Sequence, residues 1–154
     1  DGCYYNTAEQ FMMAEKARLF GDTETLAAIL AAREPGEQKR LGRLVRGFDD
    51  QTWHGAARDI VYRGNRAKFT THRDLLQLLF ETEGTSLAEA SPVYTIWGIG
   101  LAADAIDATN RSKWLGLNWL GETLQRLRDD LLREERNGGI PELLERTAKR
   151  AKQR

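Results

Sequence analysis

The chain has 154 residues, with 23 Lys plus Arg balanced by 23 Asp plus Glu, and 41% of its residues are hydrophobic. This length fits one ordinary domain, and the composition is too apolar for a disordered chain. The lone Cys3 excludes an internal disulfide and a cysteine-built zinc site, and two histidines argue against a histidine-rich site, so we expect no metal and no cofactor.

No membrane span is predicted, because no apolar run approaches about 18 residues, and we expect no secretory signal at the start of the chain. Together with the single cysteine, this favours a cytoplasmic location. Because the first residue is Asp1 rather than Met, we expect the chain to be part of a longer reading frame.

The charges are distributed unevenly along the chain. Five basic residues and no acidic one lie in residues 146–154, which leaves residues 1–145 with 18 basic against 23 acidic residues, a net charge of −5. An acidic body argues against a general nucleic-acid binder. The basic tail could contact RNA or an acidic partner, but a solvated helix end is the preferred interpretation.

Helical patterning dominates the first half of the chain. A capping box of Thr7 and Gln10 predicts a helix over residues 8–20 that stops at Gly21. Four further helices are predicted: one capped by Asp22 or Thr23 and ending before Pro35, one from Pro35 to about Arg46, one from Asp49 or Asp50 through Phe69, and one capped by Thr71 and closed by Gly84.

The second half of the chain is less regular. Residues 86–90 are predicted to form a short strand, residues 91–101 a turn and a Gly-rich bend, and residues 102–114 a loop. Asn118 is predicted to cap a helix that runs to about Glu135, and Pro141 to open a last helix into the basic tail. We therefore expect a mainly α fold with a small β element, as one compact helical domain over residues 1–136 followed by a C-terminal helix with a basic tail over residues 137–154.

A lysine on the first predicted helix is a candidate nucleophile. At 100° per residue, Glu9, Met13, Lys16 and Phe20 share one stripe. A lysine desolvated by apolar neighbours has a lowered pKa and can form a Schiff base with an opened sugar. The alternative is that Lys16 extends to water over this face and that Glu9 merely complements the helix dipole.

Two glycine-rich segments are candidate ligand contacts. Gly98 and Gly100 beside Trp97 would let the backbone approach a base or sugar, or they mark a bend around a core tryptophan. The helix start after Gly116, at Asn118, could offer free backbone N–H groups to a phosphate, or it is an ordinary cap.

Two nucleotide motifs fail at these segments. Neither a preceding strand nor a following helix supports a dinucleotide fingerprint at Gly98, and Glu122 stands where a P-loop requires lysine. A basic turn at Lys39, Arg40 and Arg43 could hold another phosphate, or it is a solvated helix face.

Several segments in register together resemble the NADAR or YbiA-like superfamily, which includes the riboflavin-biosynthesis-intermediate N-glycosidases. The resemblance runs from Tyr5 to about Leu132. Its segments are residues 7–17, residues 39–43 with Phe48-Asp49 and Trp53, residues 64–69, residues 87–92 running into Trp97-Gly98-Ile99-Gly100, and residues 114–121.

The resemblance implies a compact, mainly α enzyme that hydrolyses an N-glycosidic bond. Its substrates would be phosphoribosylamino-pyrimidine intermediates of riboflavin synthesis, or ADP-ribose carried by guanine in nucleic acid. The family's motif lysine corresponds to Lys16, which would engage the anomeric carbon covalently. The remaining expected roles are catalytic for Glu9 and Glu89, and substrate-binding for Trp97, Gly98, Gly100, Gly116, Asn118 and Arg43.

The chain departs from the family pattern at two places. The chain begins at Asp1, just before the first helix, so the strand and the aromatic-plus-Asn segment that usually precede this helix could come from outside this fragment, or activity could be lost. In addition, Tyr94 stands where the family usually has Asp. These departures keep a second hypothesis open, a non-catalytic module that binds ADP-ribose or a related nucleotide. A third is a helical interaction domain that uses the basic tail.

Overall fold

The computed structural model describes residues 3–140, and the chain divides into two compact units, residues 1–64 and 65–154. The elements are α1 (Ala8–Leu19), α2 (Thr23–Ala31), α3 (Pro35–Gly42), α4 (Asp50–Thr71), α5 (Arg73–Glu81), a single 3₁₀ turn (Arg111–Lys113) and α6 (Trp119–Arg136). The mainly α prediction is confirmed. The predicted strand at residues 86–90 is wrong, because residues 3–140 contain no strand with which it could pair.

In the first unit, α1, α2 and α3 pack against one another. Their shared core consists of apolar side chains from α1, α2 and the segment after α3, with exposed fractions of 7% or less: Met13, Ala14, Ala17, Ile29 and Val45. Both predicted N-caps are present, since the Thr7 side chain accepts from the N–H of Gln10 and that of Asp22 accepts from the N–H of Thr25. These caps satisfy N–H groups that a helix start would otherwise leave without a partner.

Buried amides connect the three helices. Contrary to the capping-box prediction, the Gln10 side chain does not accept from the N–H of Thr7. Instead its Oε1 accepts from the N–H of Asn6 at 2.9 Å, and its Nε2 lies 3.0–3.1 Å from the carbonyls of Ile29, Leu30 and Ala32 at the end of α2. Gln38 of α3, which is fully buried, donates to Ala32 O at 2.9 Å, so both amides bond the last carbonyls of α2.

Two predicted helix boundaries are wrong. Helix α3 ends at Gly42 rather than near Arg46, because the carboxylate of Asp22 accepts from the N–H of Arg46 at 2.9 Å and draws it away from the helix. Helix α5 has His72, not Thr71, as its N-cap residue. The hydroxyl of Thr71 instead donates to the carbonyl of Ala67 at 2.7 Å, inside the last turn of α4.

In the second unit, α5 and α6 pack together and a long irregular segment connects them. Leu127 and Leu131 of α6 are fully buried. The guanidinium of Arg128 is 6% exposed and donates to the carbonyls of Thr82 at 2.7 Å and Thr85 at 2.9 Å. It therefore satisfies carbonyl groups just beyond the end of α5, where no helical N–H follows.

The predicted last helix and the basic tail lie outside the described residues, so the division at residues 136 and 137 stays a prediction. Over residues 3–140, no helix has the length and apolarity needed to cross a membrane. The same residues hold no cluster of three or more His, Cys, Asp or Glu side chains that could bind a metal ion.

Candidate active site

The Lys16 amine lies in a partly enclosed, aromatic environment. Its Nζ donates to the carbonyl of Gly42, the last residue of α3, at 2.9 Å. The ring centroid of Phe48 lies 4.1 Å from this nitrogen, and that of Trp53 lies 5.6 Å away. The side chain is half-buried, so the amine does not extend freely into water.

Burial lowers the pKa of the Lys16 ammonium below its ordinary value of 10.5, and the charge of Asp50 opposes part of that change. Contact with two ring faces also favours the charged form. The neutral, nucleophilic amine is therefore populated at lower pH than in an exposed lysine. This environment matches the desolvated lysine of the sequence analysis.

Glu9 lies two turns before Lys16 on α1, and Met13 on the stripe between them is buried. Burial raises the pKa of Glu9 above its ordinary 4.5, while the nearby charges of Lys39 and Arg43 lower it. The predicted basic turn is therefore close to the carboxylate, and the exposed Arg43 presents its charge there. Arg40, by contrast, forms a bidentate pair with Glu37 at 2.7–2.8 Å.

Sequence reasoning missed three groups that define the environment of Lys16: the carbonyl of Gly42 and the rings of Phe48 and Trp53. Phe48 and Trp53 belong to the segments that resemble the family, but their positions in the sequence do not predict a contact with Lys16. The helix predicted to run to about Arg46 includes Gly42, whose carbonyl would then bond a later N–H. Helix α3 ends there instead, which leaves this oxygen available to Lys16.

In the second unit, Glu89 and Asn118 are joined through the backbone. The side-chain Oδ1 of Asn118 accepts from the N–H of Glu89 at 3.0 Å, and Nδ2 donates to the carbonyl of Leu87 at 2.9 Å. The carbonyl of Glu89 accepts from the N–H of Ile99 at 2.9 Å. Asn118 is only 2% exposed, whereas the Glu89 side chain is half-buried.

The start of α6 does not offer the expected free N–H groups. The N–H groups of Asn118, Trp119 and Leu120 donate to the carbonyls of residues 98, 96 and 97, respectively, at 3.0–3.1 Å. The prediction that these N–H groups are free to bind a phosphate is therefore wrong, because carbonyl groups of the bend already accept hydrogen bonds from them. A contact between Asn118 and substrate stays a prediction.

The predicted glycines are packed against the protein's own atoms. An added Cβ at Gly98 would lie 2.7–2.8 Å from the carbonyl oxygens of Tyr94 and Glu89, and one at Gly116 would overlap the carbonyl of Gly98. Gly100 has a φ of +72°, which glycine adopts without strain. These positions require glycine for close backbone packing, and their contact with a ligand stays a prediction.

Trp97, predicted to hold a base or sugar, is half-buried on the same bend. Its ring meets that of Trp119 edge-on, with centroids 5.6 Å apart and planes at 90°. This packing fixes one side of Trp97 and leaves part of the ring accessible to solvent.

The structure thus brings the predicted residues together in two groups. Lys16, Glu9 and Arg43 belong to the first unit. The second contains the other six: Glu89, Trp97, Gly98, Gly100, Gly116 and Asn118. That both groups serve one substrate stays a prediction.

The comparisons with known proteins agree with this fold. The family model described as the NADAR domain matches residues 1–132. An N-glycosidase of Acanthamoeba polyphaga mimivirus is 43% identical over 82% of this chain and 74% of the viral protein, and the protein irg-1 of Caenorhabditis elegans is 37% identical over 82% of this chain and 61% of the worm protein. The NMR structure of the E. coli protein YbiA superposes with a TM-score of 0.71 and 27% identity, covering 88% of this chain and 72% of that one. The chain therefore belongs to the NADAR domain family.

Proposed function

We propose that this chain is an N-glycosidase that hydrolyses the bond between a sugar phosphate and a nitrogen base. The observation that carries this proposal is the Lys16 amine, held beside two aromatic rings with a lowered pKa. The name of the mimivirus relative, an N-glycosidase, supports the same reaction. The substrate is a nucleotide-like molecule, either a phosphoribosylamino-pyrimidine or an ADP-ribosylated guanine, and the reaction takes place in the cytoplasm.

The lysine acts on the opened form of the sugar. When the ring opens, the C1–O4 bond breaks, O4 takes a proton, and C1 forms an imine with the base nitrogen. The neutral Lys16 amine adds to C1, the bond from C1 to the base nitrogen breaks with proton transfer to that nitrogen, and a lysine imine remains. Water then adds to C1, which releases the sugar aldehyde and restores the amine.

Carboxylates assist the two cationic stages of this sequence. Positive charge develops at C1 as either bond breaks, and a nearby carboxylate stabilises it. Glu9 and Glu89 are the candidates, and the raised pKa of Glu9 also suits it to return a proton to the leaving nitrogen. Arg43 binds the substrate phosphate; its exposure and the effect of its charge on Glu9 support this role.

Reductive trapping tests the role of Lys16. Each candidate substrate is incubated with the protein and sodium borohydride, which reduces a lysine imine to a stable secondary amine. We expect the peptide containing Lys16 to gain the mass of the reduced group attached through C1, ribose phosphate or ADP-ribose according to the substrate, together with release of the free base in the absence of borohydride.

Two variants make the trapping specific. Lys16→Met keeps the apolar stem and removes the nucleophile, so it should abolish both the adduct and base release. Lys68 also lies near an aromatic ring, with its Nζ 5.5 Å from the centroid of Phe69, but it is exposed. Lys68→Met should therefore react like the unmodified protein. Undiminished base release by Lys16→Met would remove the lysine from the reaction.

Calorimetry separates the enzyme from the binding-module hypothesis. Micromolar binding of ADP-ribose without release of base from any candidate substrate would favour a non-catalytic module, for which Tyr94 in place of the family's Asp is the sequence argument. Release of base with turnover excludes that alternative. Comparing the release of base from ADP-ribosylated guanosine with that from ADP-ribosylated DNA then shows whether nucleic acid is a substrate.

A further inference from the structure

Both ends of the Asn118 side-chain amide are already bonded within the protein. Oδ1 accepts from the N–H of Glu89 at 3.0 Å, and Nδ2 donates to the carbonyl of Leu87 at 2.9 Å. Asn118 is 2% exposed, and it precedes α6 without a side-chain bond to that helix. The amide therefore bonds to residues about thirty positions earlier in the sequence rather than capping its own helix.

The backbone conformation at Asn118 directs its side-chain amide toward Leu87 and Glu89. Its φ of +53° is the one positive value at a non-glycine position within residues 3–140. Asparagine tolerates this conformation better than other residues with a side chain. An added Cβ at Gly121 would overlap both the carbonyl of Leu87 and the Asn118 amide, so this glycine is needed for their close approach.

These contacts hold the backbone of Glu89 from two sides. Its N–H donates to Asn118, and its carbonyl accepts from Ile99 in the Trp97–Gly100 bend at 2.9 Å. The peptide groups on either side of the Glu89 side chain are therefore fixed, and with them the origin of that side chain. A carboxylate that must face a developing charge depends on such support.

We propose that Asn118 is a positioning residue that fixes the backbone of Glu89, and that it does not bind the substrate. The proposal rests on the proposed function, in which Glu89 supplies a carboxylate to the reaction. It replaces the expectation that Asn118 contacts a phosphate, because its amide and its N–H are occupied by residues 87, 89 and 98.

The kinetic test uses Asn118→Gly, which keeps the positive φ accessible and removes both side-chain hydrogen bonds. We expect kcat to fall by about 10–100-fold with KM unchanged, since small displacements of a reacting group have effects of that size. In a Glu89→Gln background, the same change should have little further effect, because the group that Asn118 positions is already gone. Asn110→Gly, at an exposed asparagine that caps the 3₁₀ turn, is the matched control and should leave kcat unchanged.

Amide hydrogen exchange supplies a readout that does not depend on activity. Loss of the Asn118 acceptor should raise the exchange rate of the Glu89 N–H at least tenfold, while the N–H of Ile29 in the first unit stays protected.

Asn118→Asp keeps an oxygen toward Glu89 but places the other toward the Leu87 carbonyl, so it should also lower kcat.

The outcomes distinguish failure of this proposal from failure of the proposed function. A raised KM with normal kcat in Asn118→Gly, or a full additional loss in the Glu89→Gln background, would overturn the positioning role. An unchanged Glu89 exchange rate would do so even if the unmodified protein released no base. Absence of base release from every substrate, with faster Glu89 exchange in Asn118→Gly, would refute the enzymatic function and retain the structural role of the amide.

Discussion

Replacing Gln10 with leucine tests the buried amide network that joins the first three helices. Gln10 is 4% exposed, and its amide connects α1 to the end of α2 and to the backbone of Asn6. Leucine has a similar volume and preserves the helix, so Gln10→Leu removes the hydrogen bonds with little change in packing. The predicted effect is therefore the loss of these hydrogen bonds, partly offset by burial of the more apolar leucine side chain.

The structure sets the size of this effect. The Nε2 group has two hydrogens for the carbonyls of Ile29, Leu30 and Ala32, and Oε1 accepts one further bond. Three hydrogen bonds at about 1 kcal/mol each amount to a loss of about 3 kcal/mol. Burial of the leucine side chain returns about 1 kcal/mol, which leaves a net destabilisation of about 2 kcal/mol.

Urea denaturation followed by circular dichroism measures this change as a shift in the free energy of unfolding. The matched control is Gln77→Leu on α5, an exposed glutamine whose partner Glu81 is also exposed, and its effect should stay within about 0.5 kcal/mol. If Gln10→Leu were no more destabilising than Gln77→Leu, the network would contribute nothing measurable and the reasoning would be refuted.

Three further predictions concern pH and packing. Turnover should rise with pH as Lys16 loses its proton, with a midpoint below 10.5. Its fall toward acid should become steeper as Glu9 is protonated, with a midpoint above 4.5, and Glu9→Gln should remove only this steeper section of the pH–rate profile. Hydrogen bonds from Arg46 and Thr25 hold the pKa of Asp22 far below its ordinary value of 3.8. The ionised carboxylate therefore contributes fully to stability above pH 3.8, and this contribution is lost as the pH falls toward the lowered pKa. Thermal melts should show Asp22→Asn to be less stable than the unmodified protein at pH 7, with a difference that shrinks in strong acid. Gly116→Ala should destabilise the protein by about 3 kcal/mol or more in urea denaturation, because the new Cβ overlaps backbone atoms that cannot move aside. Gly55→Ala on α4, where the added Cβ meets open space, should stabilise it by about 0.5–1 kcal/mol. Equal effects of the two substitutions would contradict the packing argument.

The helices of the first unit could be predicted from sequence because their signals are local. Thr7 and Asp22 bond the N–H groups three residues later, and the stripe containing Lys16 follows from helical periodicity alone. The early end of α3 could not be predicted, since it depends on Asp22 accepting the N–H of Arg46, twenty-four residues away.

The second unit was harder to predict because its order comes from contacts between distant segments. Gly98 and Gly116 resembled ligand-binding glycines, but the space beside them is filled by carbonyl groups of other loop residues. Asn118 was correctly placed before a helix, yet its amide bonds Leu87 and Glu89. Local sequence predicts that a polar residue precedes a helix but does not identify its distant partners.

The carbonyl of Gly42 accepts a hydrogen bond from the Lys16 amine in the free enzyme. In the proposed reaction the neutral imine of Lys16 carries no N–H, so the oxygen at the end of α3 would lose its donor at that stage. Hydrolysis of the adduct regenerates the amine, which recovers this bond once it is protonated. On the proposed mechanism, this bond would favour the free lysine over its neutral imine and so promote release of the sugar.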